Sequence, residues 1–244
     1  MRESSAISAF GFRISVGASA LGFRISGLRR LPVHAWPVPA TVYSGANMRI
    51  TGGKAARRRL KVPKGLAVRP TADLVKQAVF NSLGSRVAGA RVLELFAGTG
   101  ALGLECLSRG AASALCVEKS QRHAEVLRQN LAAAGFSPEA LHVRVQDVFA
   151  ALAQLAAAGQ LFDLVMADPP YGEKNLGRRS ESLAQRLLDD PCLGRLLAPG
   201  GWLVLGHAKR DTLSLPDHWR EAKVLRHGDS IMRFFCWRGP GYRS

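Results

Sequence analysis

The 244-residue sequence lacks a long apolar run and has few of the residues that build disulfide frameworks or metal sites. No apolar stretch approaches the ~20 residues that a bilayer-spanning helix needs, so we expect no membrane partner. The four cysteines form no C-x-x-C pair, and the six histidines are scattered. These features predict reduced thiols in a cytoplasmic protein without a metal ion. No Ser/His/Asp or Cys/His pattern indicates a catalytic nucleophile.

Acidic residues are also scarce: the chain has 18 acidic and 34 basic residues, and its formal net charge is +16. The excess is concentrated in residues 49–69, which contain eight basic residues and no acid. A solvated basic loop is one explanation, but unopposed charge at this density favours phosphate contacts. We interpret the segment as an arm or hairpin that orders partly on RNA. The candidate RNA-binding residues are Lys54, Arg57, Arg58, Arg59, Lys61 and Arg69.

Hydrophobic residues make up an ordinary 47% of the chain, and they alternate between strand-like and helix-like patterns. Strands are predicted at 91–96, 114–118, 141–146, 162–167, 202–206, 221–226 and 231–237. Helices are predicted at 71–83, with Thr71 as N-cap, and at 101–109, 121–134, 148–158 and 181–189. The alternation predicts an α/β fold with a doubly wound, mostly parallel sheet and an antiparallel edge hairpin.

The tetrad Asp168-Pro169-Pro170-Tyr171 follows an apolar run, residues 161–167, that is typical of a buried parallel strand. Two prolines stiffen the turn and remove N–H donors, so carbonyl oxygens dominate its backbone. A carboxylate, a rigid carbonyl and an aromatic face together suit a flat ring that carries an amine. The alternative is a proline-rich turn that merely ends the strand, with Tyr171 covering the core.

A second motif lies upstream, where Gly98, Gly100 and Gly103 form G-x-G-x-x-G between a predicted strand and a predicted helix. Glu118 follows Gly98 by 20 residues and could hold ribose hydroxyls. The pattern alone fits NAD(P) as well as other adenosine-bearing cofactors. Glu94, four residues before Gly98, favours a cationic cofactor such as S-adenosylmethionine, because a pyrophosphate gains nothing from a carboxylate there.

These motifs resemble motif I, the ribose-binding acid and motif IV of class I S-adenosylmethionine-dependent methyltransferases that act on exocyclic amines. The blocks at 48–54, 69–71 and 95–105 are similar to the bacterial 16S rRNA guanine-N2 methyltransferases of the small-subunit type D family. The resemblance covers about Met48 to Trp237. It implies a Rossmann-like class I sheet with strand order 3-2-1-4-5-7-6. Where that family commonly has Asp, this chain has Glu94.

The resemblance also implies roles for individual residues. Asp147 would meet the adenine amine of S-adenosylmethionine, and Asp168 with the Pro169 carbonyl would accept hydrogen bonds from the guanine amine. Tyr171 would clamp a base swung out of its stack. The cofactor-binding residues expected are Glu94, Phe96, Gly98, Thr99, Gly100, Glu118, Lys119, Asp147, Val148 and Asp168. The expected catalytic residues are Asp168, Pro169, Pro170 and Tyr171.

Three other functions remain open from the residues alone. An adenine-N6 methyltransferase would use the same tetrad, but only about 45 residues separate the fourth strand from the final hairpin, too few for a target-recognition domain. An NAD(P) oxidoreductase fits the glycines but has no use for Glu94 or the tetrad. A non-catalytic RNA-binding protein would explain the basic segment only. The expected partner is 16S rRNA, in the small subunit or an assembly intermediate, bound by a monomer.

Residues 1–47 match nothing in the resembling family and repeat Gly-Phe-Arg-Ile-Ser at 11–15 and 22–26. Their Arg- and Ser-rich, acid-poor composition fits an organelle transit peptide, but a start codon assigned too early fits better because Met48 opens the family-like block. We expect a disordered leader in either case. The predicted organisation is a leader at 1–47, a basic arm and first helix at 48–85, and a methyltransferase domain at 86–244.

Overall fold

The computed structural model describes residues 48–62, 73–171 and 178–239. The strands in this part of the chain are Arg91–Leu95 (β1), Ser113–Glu118 (β2), Leu141–Val145 (β3), Phe162–Ala167 (β4), Leu197–Ala208 (β5), Trp219–His227 (β6) and Ser230–Trp237 (β7). The α-helices are Asp73–Leu83 (α1), Ala101–Ser108 (α2), Gln121–Ala133 (α3), Val148–Ala157 (α4) and Leu183–Asp189 (α5). Short 3₁₀ turns occupy Gly84–Val87, Pro138–Ala140 and Gly194–Leu196.

The strands form one sheet in the order β3-β2-β1-β4-β5-β7-β6. The first five strands pair in parallel, whereas β7 runs antiparallel to both β5 and β6. The predicted α/β class, strand order and antiparallel edge are therefore confirmed. The chain winds from β1 towards one edge and then returns to β4 beside it, so β1 and β4 flank the point where the winding reverses.

Helices cover both faces of the sheet, which explains why the central strands are almost wholly apolar. On one face α1, α2 and α3 pack over side chains such as Val92, Leu164 and Phe234. On the other face α4 and α5 pack over Leu93, Val165 and neighbouring side chains. Successive residues of β1 thus alternate between two buried clusters rather than between core and solvent.

Several element boundaries differ from the predictions, and the largest difference is at the start of β5. The fifth strand was predicted from Trp202, after a turn at Gly200-Gly201, but β5 begins at Leu197 and contains both glycines. The pairing of β5 with β4 is irregular between Phe162 and Leu164, and this bulge accommodates the two glycines. Helix α5 begins at Leu183 because Ser182 accepts a hydrogen bond from the Gln185 N–H as an N-cap. The predicted N-cap Thr71 and the leader lie outside the described residues.

Residues 48–62 form a basic hairpin that packs against the domain. The Ile50 N–H donates to the Arg58 carbonyl over 2.9 Å, and the Leu60 N–H donates to the Met48 carbonyl over 2.7 Å. Met48, Ile50, Ala55 and Leu60 are buried with the α1–α3 side of the core. These buried side chains are irregularly spaced along the segment and so form no regular apolar pattern in the sequence. Its further ordering on RNA stays a prediction.

Across the described ranges, no helix combines the length and apolar character needed to cross a membrane.

Candidate active site

The loop after β1 contains the predicted glycine motif and joins directly to α2. Gly100 has a φ of 79°, and a Cβ built on it would lie 2.6 Å from Leu127 Cγ of α3. Gly103 lies one turn into α2, where a Cβ would come within 2.7 Å of Glu94 Oε2. The glycines therefore allow the loop to turn tightly and α2 to approach the sheet. We name residues 96–100 the glycine loop.

Glu94 lies in β1, with 3% of its surface exposed, beneath the first turn of α2. Its carboxylate accepts hydrogen bonds from the Leu102 N–H at 3.1 Å, the Gly103 N–H at 2.9 Å and the Cys116 thiol at 3.2 Å. Burial raises the pKa of Glu94 from 4.5 to about 7, although these hydrogen bonds oppose the shift. Glu94 thus anchors α2 to the sheet, and its contact with a cationic cofactor group stays a prediction.

Glu118 ends β2 directly beside the glycine loop. Its Oε2 accepts from the Gly98 N–H at 2.8 Å, and its Oε1 accepts from the Ser120 N–H at 2.8 Å. His123 Nδ1 lies 3.4 Å from Oε1. The carboxylate is therefore fixed beside the glycine loop, and its role as a ribose-binding acid stays a prediction. Lys119, the next residue, is exposed.

Asp147 follows β3 and caps α4, where its Oδ1 accepts from the Phe149 and Ala150 N–H groups at 2.9 and 3.3 Å. The side chain is exposed, and both cap bonds use the same oxygen. Val148 is buried in the first turn of α4. Phe96, whose φ is 56°, meets the Phe149 ring edge-on at a centroid distance of 6.4 Å. These expected cofactor-binding residues thus follow the carboxyl ends of β3 and β1, which lie on either side of β2.

The tetrad begins immediately after β4. Leu95 pairs with Ala167 across β1 and β4, so Phe96 and Asp168 leave the sheet at the same edge. Pro169 is buried, Pro170 is exposed, and the Tyr171 hydroxyl lies 2.5 Å from Ser230 Oγ of β7. That hydrogen bond holds the Tyr171 ring towards the antiparallel edge.

Gly206, which was not among the predicted site residues, makes room for Asp168. Gly206 follows Leu205 in β5, and Leu205 pairs with Ala167 just before Asp168. A Cβ on Gly206 would lie 2.2 Å from Asp168 Oδ1 and 3.1 Å from Met232 Sδ. An isolated glycine inside an apolar strand pattern indicates such a close approach, so this signal was available.

His207 lies next to Gly206 and is buried. Its Nδ1 lies 3.0 Å from the carbonyl oxygens of Ala208 and Asp211. Burial lowers the pKa of His207, with repulsion from Arg233 adding to the shift. Asp211 in turn accepts a hydrogen bond from the Ser180 hydroxyl at 2.5 Å. This polar cluster supports the loop after β5.

The basic hairpin is fixed to α2 by several polar contacts. The Thr51 N–H and hydroxyl donate to Glu105 at 2.7 and 2.8 Å, and Arg109 Nε also donates to Glu105, at 2.8 Å. Ser108 Oγ accepts from the Ala55 N–H at 2.9 Å and donates to the Gly52 carbonyl at 2.6 Å. The turn of the hairpin is therefore held firmly at the end of α2.

The candidate RNA-binding side chains line the outer surface of the hairpin. Lys54 Nζ lies over the Phe136 ring at 5.0 Å from its centroid. Arg57, with a φ of 71°, Arg58 and Arg59 are exposed, as is Lys61, whose Nζ donates to Gln129 Oε1 at 3.1 Å. Arg69 lies outside the described residues. Five of the six predicted residues are thus exposed on the hairpin.

Comparisons with known proteins agree with this architecture. The family model described as Conserved hypothetical protein 95 matches residues 48–236. The chain is 39% identical to Ribosomal RNA small subunit methyltransferase D of Escherichia coli K12 over 163 residues, which cover 66% of this chain and 73% of that protein. It is 32% identical to the Haemophilus influenzae protein of the same name over 188 residues, which cover 77% and 93%. A solved structure of a hypothetical protein from Thermus thermophilus gives a TM-score of 0.63 at 30% identity, covering 76% and 97%.

The raised pKa of Glu94 predicts a pH dependence of stability. In the folded state the Glu94 carboxyl group keeps its proton up to about pH 7, whereas in the unfolded state it loses the proton near pH 4.5. The contribution of Glu94 to stability is therefore complete below pH 4.5. It is lost as pH rises to 7, by roughly 3 kcal/mol. Denaturant unfolding should show this decline in the wild type relative to Glu94→Gln. Parallel pH profiles for the two proteins would contradict the shift.

The contact between Gly206 and Asp168 predicts a strong coupling between these positions. Gly206→Ala should reduce the unfolding free energy by about 1–3 kcal/mol, because the new methyl group collides with the carboxylate. In an Asp168→Ala background the collision is absent, so most of that loss should disappear. A double-mutant cycle by denaturant unfolding measures the difference. Equal losses in both backgrounds would show that Gly206 does not shape the Asp168 site.

Proposed function

Because the chain belongs to the Conserved hypothetical protein 95 family, we propose that it methylates ribosomal RNA with S-adenosylmethionine, at the exocyclic N2 amine of a guanine in 16S rRNA. One observation carries the proposal: the glycine loop and the tetrad leave adjacent parallel strands at the same edge of the sheet. Ligands of open α/β sheets bind at such a point. The relatives named Ribosomal RNA small subunit methyltransferase D support the RNA class of substrate.

The residues around the glycine loop fit S-adenosylmethionine. Gly98 leaves backbone of the loop accessible to a ligand, Glu118 would hold the ribose hydroxyls, and Asp147 would accept from the adenine amine. Phe96, Thr99, Lys119 and Val148 would complete the walls of the site. When bound, the cofactor supplies a methyl group activated by its positively charged sulfur.

The tetrad fits an amine that must be aligned rather than covalently activated. The lone pair of a guanine N2 amine is delocalised into the ring, so the amine is a poor nucleophile. Hydrogen bonds from its two N–H groups to the Asp168 carboxylate and the Pro169 carbonyl would favour a pyramidal nitrogen. The lone pair would then point at the methyl group, and the Asp168 carboxylate would accept the proton that the nitrogen loses on methylation. Tyr171 would stack on the extruded base.

The basic hairpin supplies a surface for the RNA backbone. Arg57, Arg58 and Arg59 are exposed on a packed element rather than on a free loop, and the segment 49–62 contains no acid. Phosphate contacts from such a surface position the nucleic acid without reading its sequence. The target guanine would then be selected at the tetrad, within the small subunit or an assembly intermediate.

Methylation of 16S rRNA in vitro tests the proposal. The purified chain, S-adenosylmethionine and either naked 16S rRNA or small-subunit particles lacking the modification are incubated, and digested nucleosides are analysed by mass spectrometry. We expect N2-methylguanosine in at least one reaction. N6-methyladenosine instead would establish the adenine alternative, and no methylated nucleoside with either substrate would contradict the proposal. A particle-only product would identify the assembled RNA as substrate.

Asp168 should be essential to the chemical step. Asp168→Ala removes an acceptor for the amine protons in the transition state, so kcat should fall on the order of 10²–10³-fold while cofactor affinity changes little. Single-turnover methylation and calorimetry with S-adenosylhomocysteine measure the two effects. Asp163→Ala, at the opposite end of β4, is the matched control and should keep normal turnover. Near-normal turnover of Asp168→Ala would refute this mechanism.

The hairpin arginines should determine the salt dependence of RNA binding. Replacing Arg57, Arg58 and Arg59 with Ala should weaken RNA binding and flatten the log–log salt dependence of affinity by up to about three, roughly 0.7–0.9 per lost phosphate contact. Filter binding at several salt concentrations measures this slope. A control with three exposed cations of β6 replaced, Arg220, Lys223 and Arg226, should change it less. An unchanged slope in the hairpin variant would assign these arginines to a merely solvated surface.

A further inference from the structure

The side chain of Asn130 joins the basic hairpin to the glycine loop. Asn130 lies in α3 and is completely buried. Its Oδ1 accepts from the Lys61 N–H at 2.7 Å, and its Nδ2 donates to the carbonyl oxygens of Lys61 and Thr99, each at 3.1 Å. Both amide donors and the amide oxygen are therefore in use, and each partner is a backbone group.

On the loop side, Asn130 fixes the peptide between the two loop glycines. Thr99 lies between Gly98 and Gly100, and Gly100 packs against Leu127, one turn before Asn130 on α3. The Gly98 N–H is held separately by Glu118. Asn130 donates a hydrogen bond to the Thr99 carbonyl. A displacement of α3, or of the Lys61 peptide that Asn130 also bonds, would therefore shift the loop backbone that would face the cofactor.

On the hairpin side, Asn130 holds the Lys61 peptide by both its N–H and its carbonyl, much as a neighbouring strand would. Lys61 lies on the second arm of the hairpin, two residues after Arg59, which forms an antiparallel bridge with Arg49. Met48, in the opposite arm of the hairpin, reaches the same loop residue, because its sulfur lies 3.5 Å from Thr99 Oγ1. Both arms of the cationic hairpin therefore contact the region of Thr99, and Asn130 makes the stronger of the two connections.

From these contacts we propose that Asn130 is a positioning residue through which RNA bound at the hairpin and cofactor bound at the glycine loop strengthen each other's binding. The inference rests on the proposed function, which supplies the two ligands. Phosphate contacts would restrict the hairpin, and the Lys61–Asn130–Thr99 connection would restrict the glycine loop in turn. The cofactor then binds a loop that is already ordered, and by linkage the cofactor must improve RNA affinity by the same factor.

The test measures the coupling directly. Calorimetry gives the Kd of S-adenosylhomocysteine for the full chain with and without saturating 16S rRNA transcribed in vitro. For the wild type we expect RNA to lower this Kd roughly fivefold or more. For Asn130→Ala the two Kd values should agree within about twofold. Ser108→Ala is the matched control, because it also removes two hydrogen bonds between the hairpin and the domain but none to the glycine loop. It should keep the wild-type coupling.

A second measurement does not depend on the folding of Asn130→Ala. In the wild type, RNA should slow hydrogen exchange in peptides that span the glycine loop, and the Arg57, Arg58 and Arg59 triple variant should lose this protection. If the wild type binds both ligands without coupling, the inference is overturned and the proposed function stands. The same holds if Ser108→Ala and Asn130→Ala lose the coupling equally. A wild type that binds neither ligand would overturn both.

Discussion

The parallel pairing of β1 with β4 determines where every element of the site can lie. Its register pairs Glu94 with Met166 and Leu95 with Ala167, so the glycine loop and Asp168 start from neighbouring strands about 5 Å apart. A slip of one residue would turn each side chain to the opposite face. Glu94 would then leave the first turn of α2 and face the α4 side, which is packed with apolar side chains. The two apolar clusters thus enforce the register that brings the two loops together.

The buried carboxylate of Glu94 shows how this edge of the sheet combines structure with electrostatics. Its charge is costly to bury, but the α2 N–H groups stabilise the ionised form, and the positive end of the helix dipole acts in the same direction. Asp168 raises the pKa of Glu94 by a smaller repulsion, so two acids lie close together where β1 and β4 end. Glu94 therefore shapes the strand end through its bonds to α2, and its direct contact with a cationic cofactor group stays a prediction.

The sheet and its family could be predicted because the informative signals are local. Apolar runs, a glycine motif and the Asp168–Tyr171 tetrad each report on their own few residues, and the predicted class and strand order were confirmed. The contacts that refine the site join residues distant in sequence. Gly206 gives space to Asp168, Ser230 bonds Tyr171, and Asn130 bonds Lys61 and Thr99. A glycine in a strand predicts a close approach by another group but does not identify that group. A single asparagine in a helix predicts no particular contact.

The hairpin illustrates what charge composition alone does not show about a basic segment. Eight basic residues without an acid predicted a segment that orders partly on RNA. In the structure, four apolar side chains and the contacts of Thr51 and Ser108 hold the described part of this segment against the domain. A packed hairpin loses less conformational entropy on binding than a free arm, so more of the phosphate attraction remains as affinity. A packed hairpin also passes its displacements on to the residues that it contacts, whereas a free arm does not. A cationic surface that is bonded through Asn130 to the glycine loop can therefore connect RNA binding to the cofactor site, whereas the same charges on a loose tail could only increase affinity.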